Sequence, residues 1–113
     1  VDFHKKLNLL QKNINTKIKI IQKVKSYNTI LNNSFRYLQK IKADTKSKEI
    51  DNIFVILLTV TKNSEINISK EIKRISEINV SSKIDKSFLQ HTKIFFSYYK
   101  NLNQLLEQSN SLE

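Results

Sequence analysis

The chain contains no glycine, proline, cysteine, methionine or tryptophan. Each absence removes something. Without glycine there is no phosphate-cradling loop, no nucleophile elbow and no dinucleotide fingerprint. Without glycine or proline, tight turns and strand punctuation are scarce, so links must be short and built from Asn, Ser, Asp and Thr. That disfavours sandwiches, barrels and doubly wound folds, and favours long helices. Without cysteine there is neither a disulfide nor a thiolate zinc site. His4 and His91 have no second ligand at metal spacing, and no paired carboxylates fall in an apolar setting. No catalytic residue, metal or cofactor is therefore expected, and the chain does not read as an enzyme. The longest apolar run, Ile53–Leu58, is far short of the roughly 20 residues that a spanning helix needs. There is no initiator methionine before Val1, so a processed or trimmed piece is expected, with any targeting segment removed.

Acid is also missing, but only in part of the chain. Between Asp2 and Asp44 there are nine lysines, one arginine and no carboxylate. Residues 1–48 carry twelve basic and two acidic side chains, whereas residues 49–113 carry eight of each. The whole formal charge of +10 thus lies on the first segment. A one-sided field of this kind attracts a negative partner and costs stability through self-repulsion.

Of the chain, 39% is apolar, enough for one core, and the 113 residues read as a single domain. The spacing predicts a first helix over 2–42. In a heptad frame, a holds Leu7, Ile14, Ile21, Asn28 and Phe35, while d holds Leu10, Val24, Leu31 and Leu38. Asn28 is a polar gap in this seam, and Asn32-Asn33-Ser34 is the one place where the helix could break. Ser47 can cap a second helix, in which Ile50, Ile53, Phe54, Leu57 and Val60 share one face. Val55, Ile56 and Leu58 fill its other faces, so burial nearly all round is expected.

Asn63 in a left-handed conformation and Ser64 as a cap would split this element; otherwise it continues through both. Ile68, Ile72, Ile75 and Ile78 form the next stripe. Ser82 and Asp85 make a capping box for a last helix running to about residue 108. Its seam holds Phe88, Phe95 and Leu102 at a, and His91, Tyr98 and Leu105 at d. The expected fold is all-α: an antiparallel up-down bundle of three long helices, or four with a break near Asn63-Ser64.

Two features point to binding. The outward f position of the first helix holds Lys5, Lys12, Lys19 and Lys40, with Lys23 and Arg36 beside them. The last helix repeats the device with Lys86, Lys93 and Lys100. A merely solvated face mixes Glu with Lys for i,i+4 support, and the first ridge does not. Phe96 sits at b, off the seam, one heptad from Leu89. Two large apolar residues there imply a second covered surface, supplied by a fourth helix or by a partner. These features predict a non-enzymatic module capturing an acidic protein surface or polyanion, with homo- or hetero-oligomers through its helix faces as a further expectation. The alternatives are a cytoplasmic nucleic-acid-binding or accessory protein, or a subunit of a larger helical assembly.

Ile, Asn and Lys make up 47 of the residues, and Lys outnumbers Arg eighteen to two. In this composition, and in its helix lengths, the chain resembles the helical surface lipoproteins of Borrelia-type spirochaetes. The resemblance implies a lipid-anchored outer-surface protein that binds host molecules: complement components, matrix proteins or glycosaminoglycans. A cell-surface or secreted location is then expected.

Overall fold

The computed structural model describes residues 2–63 and 65–111. They form four helices: α1 (Asp2–Lys42), α2 (Lys48–Thr59), α3 (Ile68–Ser76) and α4 (Lys83–Ser111). There is no strand among the described residues. Two helices are long and two are short, and together they fill an envelope of 67 × 23 × 20 Å. The middle of the chain is thus two short helices rather than a third long one.

Helix α1 is unbroken through Asn32-Asn33-Ser34. It has Asp2 in its first turn and Lys40 and Lys42 in its last, which match the positive and negative ends of the helix dipole. The Ser47 hydroxyl caps α2 by accepting the Glu49 N–H at 3.3 Å. Helix α2 ends at Thr59, and Asn63 does not take a left-handed conformation. Instead its side-chain oxygen accepts the Glu65 N–H at 3.0 Å, and its carbonyl accepts the Ile66 N–H, so it directs a turn. The cap of α3 is Asn67, whose side chain accepts the Lys70 N–H at 3.1 Å. Ser64, the expected cap, lies outside the described residues.

At the start of α4, Ser82 accepts the Asp85 N–H at 3.4 Å, which is half of a capping box. The Asp85 carboxylate serves a different partner. It is buried and accepts the Lys46 N–H at 2.8 Å, tying the α1–α2 link to the first turn of α4. A charged acceptor holding a backbone donor out of water is among the stronger hydrogen bonds a fold can make.

Helices α1 and α4 run antiparallel. Tyr37 meets His91, Phe35 meets Phe95 and Tyr27 meets Tyr98, with ring centroids 4.8, 6.3 and 5.5 Å apart. Helix α2 buries Ile50, Ile53 and Leu57, and its Phe54 packs on Phe88. Lys42 lies over the Phe54 ring and pairs with Asp51 at 2.7 Å. Val55 and Leu58 are exposed, so α2 is not buried all round. It sits at an edge, and one face is all that the neighbouring helices cover.

Helix α3 packs across α4 and buries Ile75. Phe96 and Leu89 are both buried in the core, and Leu89 shares a cleft with Ile75, Ile78 and Val80. The second surface on α4 is therefore covered within the chain, at Leu89 by α3 and the link that follows it.

Candidate binding surface

Helix α1 is the longest element, and its length decides what remains uncovered. At about 1.5 Å per residue its 41 residues span about 62 Å, against about 44 Å for the 29 of α4. Since Tyr98 stands opposite Tyr27 and the helices run in opposite directions, the end of α4 at Ser111 comes level with Ile14. Helix α2 falls short of that point. Its last turn, at Leu58, and Thr61 just beyond it share a groove with Asn28. The first dozen residues of α1 thus project beyond the bundle, and the next dozen are flanked chiefly by the end of α4.

The exposed side chains follow this geometry. Phe3 is 71% exposed, Leu7 50%, Leu10 56%, Ile14 43%, Ile18 49% and Ile21 50%. Steps of three and four place them on one stripe. The stripe joins the a row to Phe3 and Leu10 at d and Ile18 at e, and these d residues stay exposed because they lie on the projecting end of α1. Buried Leu31 and Leu38 lie at d, and buried Ile20 and Ile41 lie one row further round, at g. The a row stays outside: Leu7, Ile14, Ile21 and Asn28 are all exposed, and of this row Phe35 is partly buried. Asn28 is therefore no polar gap in a buried seam. It stands on the wall of a groove of about 410 Å³ between α1, α2 and α4, together with Leu31, Phe35, Leu58, Lys62 and Tyr99.

The expected ridge is present on α1. Lys5, Lys12, Lys19, Lys23, Arg36 and Lys40 are all exposed. Lys5 to Lys23 span about 27 Å along the first half of α1, on the side of the helix away from the apolar stripe. The lysines of α4 are placed differently. Lys86 and Lys93 border the cleft against α3, where Lys93 is partly buried. Lys100 donates to the Ser69 hydroxyl at 2.8 Å. This second row serves the α3–α4 seam and does not extend the first ridge on the first half of α1.

The histidines have local roles. The Nδ1 of His91 lies 2.8 Å from the Ser87 carbonyl, and its ring packs on Tyr37. The ring of His4 packs against Phe3. No group of three or more His, Asp or Glu side chains that could hold a metal lies together among the described residues. No described helix is long and apolar enough to cross a membrane.

Leu58 and Lys62 at the groove, and the exposed a row itself, escape a reading by periodicity. The signal that could have found them is length. A helix of some 40 residues cannot be covered along its whole length by partners of 30 or fewer, so part of its apolar stripe must stay open. Compared with known protein families, curated proteins and solved structures, the chain finds no significant match.

Proposed function

We propose that this protein is a non-enzymatic binding module whose projecting first helix captures an acidic partner or polyanion. The observation that carries the reading is the coincidence of two facts. The acid-free run of lysines lies on α1, and its exposed Lys5 and Lys12 stand on the part of α1 that extends past the other helices, with exposed Lys19 and Lys23 on the stretch that the end of α4 flanks. A basic face kept clear of the bundle meets a large acidic surface without steric hindrance. Its field also raises the encounter rate with negative partners. The compositional resemblance to spirochaete surface lipoproteins favours an extracellular partner, such as an acidic host protein or a glycosaminoglycan.

The test is retention on immobilised heparin and on an acidic protein. Changing Lys5, Lys12, Lys19 and Lys23 together to Gln should abolish retention at moderate salt. It should also flatten the salt dependence by nearly one logarithmic unit per contact removed. A control changing exposed Lys48, Lys70, Lys73 and Lys83 to Gln removes equal charge from α2, α3 and α4. If both variants weaken retention alike, only net charge matters and the ridge is not a site. If neither does, the basic run is a solvated face.

A further inference from the structure

We infer that the apolar stripe of α1 and the α1–α2–α4 groove form one continuous docking track for an acidic amphipathic helix of a partner protein. This rests on the reading of α1 as the partner-binding element, and it names the form that a protein partner takes.

Continuity comes from the heptad. Leu7, Ile14 and Ile21 are successive members of the a row, and the next member, Asn28, is already a wall of the groove. A rod laid on the stripe therefore runs, within one further heptad, into a concave slot closed on the far side by Leu58 and Lys62. The exposed stripe amounts to on the order of 500 Å² of apolar surface, the size at which an exposed patch marks an interaction site. With the groove added, it approaches the roughly 800 Å² per partner of a standard interface.

The shape of the track selects a helix. Its apolar residues repeat at three and four along more than two heptads, which matches the knobs of a second helix. A bilayer is flat and cannot enter a slot between three helices. The ridge lysines also point away from the stripe, so a lipid surface touching the apolar residues would leave them in water.

Charge selects the sign. Lys6 and Lys25 lie at the g and e positions beside the stripe, where a docked helix places its own flanking residues, and Lys62 stands at the groove. Glu or Asp at those flanking positions pairs with them. A second copy of α1 would instead set lysine against lysine, because α1 has no carboxylate between residues 3 and 42. The acid-free composition thus disfavours self-pairing along the stripe.

The experiment uses the full chain and a helical peptide of roughly three heptads, with Leu at a and d and Glu at e and g. A second peptide of the same composition, scrambled to destroy the stripe, is the control. Affinity is read by fluorescence anisotropy. The ordered peptide should bind, and the scrambled one at least tenfold more weakly. Changing Leu7, Ile14 and Ile21 together to Gln should weaken the ordered peptide tenfold or more and leave heparin retention unchanged. Leu58→Glu should weaken it by placing like charge in the slot. The ridge variant should behave conversely, losing heparin while keeping most of the peptide affinity.

If heparin retention survives the ridge variant, the ridge reading fails while the track is still judged by the peptides. Equal binding of both peptides overturns the track. So does an absence of binding at the highest soluble concentration. Two further results overturn it in favour of other occupants. One is a concentration-dependent dimer, seen by analytical ultracentrifugation and removed by the stripe variant. The other is stripe-dependent binding to vesicles of anionic phospholipid.

Discussion

Phe96 and Leu10 make a paired test of which apolar surfaces this fold uses. Both are large apolar residues in helices. Phe96 is fully buried, with its ring edge-on to Phe95 at 6.0 Å, whereas Leu10 is 56% exposed. Truncating a buried phenylalanine to alanine loses its transfer free energy and leaves a cavity, about 3–5 kcal/mol in all. Unfolding entropy near the midpoint is about 2.1 cal/mol/K per residue, or about 0.24 kcal/mol/K for this chain. Phe96→Ala should therefore lower the melting temperature by about 12–20 °C. Leu10→Ala, far from any packed neighbour, should change stability by no more than about 0.5 kcal/mol, a shift of about 2 °C. Thermal melts followed by far-UV circular dichroism give both numbers, and urea titrations check that the transition stays two-state. Two results would refute the reasoning. A near-native melt for Phe96→Ala would place that ring outside the core. A large loss for Leu10→Ala would mean that the projecting half of α1 is covered in solution.

Two other predictions follow from single contacts and from the outline of the bundle. Asp85→Ala removes the acceptor for the Lys46 N–H and should cost about 2 kcal/mol in a urea titration, while Asp85→Asn, which keeps an acceptor oxygen, should cost less. An unchanged midpoint for both would show that the link between α1 and α2 does not depend on α4. In hydrogen exchange, amides of residues 7–13 should exchange far faster than those of residues 31–41, because the former lie in a helix without tertiary cover. Equal protection of the two stretches would contradict a projecting α1.

Local signals made much of the fold legible. Ser47 and Ser82 announce helix starts, because a hydroxyl that satisfies an orphan N–H is a local device and needs no distant partner. The bounds of α1 follow from a period of three and four that resumes after its gap at Asn28. The break in the middle was legible in place but not in kind. Between residues 63 and 67 the chain offers two asparagines and a serine, any of which can cap or turn. In the structure Asn63 makes the turn and Asn67 the cap.

The role of Asp85 was hidden for a related reason. Its own hydroxyl partner is three residues away, but the backbone donor it holds is 39 residues away. Nor does a seam read from one helix say which of two adjacent rows will face its neighbour. Here α1 packs its second half mainly through d and g, and most of the a row stays exposed.

That unused row is where fold and proposed function meet. Leu31, Leu38 and Ile41 on α1 are buried by α2 and α4, so the second half of the helix is accounted for by the core. The first half carries the same kinds of residue at the same spacing, yet of these Ile20 alone is buried. Exposed apolar stripes invite aggregation, and a helix without tertiary contacts is marginal in water. Both costs are offset in part by the lysines: a strong charge of one sign keeps copies apart, and lysine is a good helix former. The two faces of the projecting segment are thus physically linked. On the proposed function, the charge that draws acidic partners to α1 would also keep its apolar stripe from pairing with itself. A variant that neutralises Lys5, Lys12, Lys19 and Lys23 but leaves the stripe intact should therefore begin to self-associate, in sedimentation runs at low salt, under conditions in which the native chain should stay monomeric. If it does not, the stripe is insulated by something other than charge, and the two faces are independent.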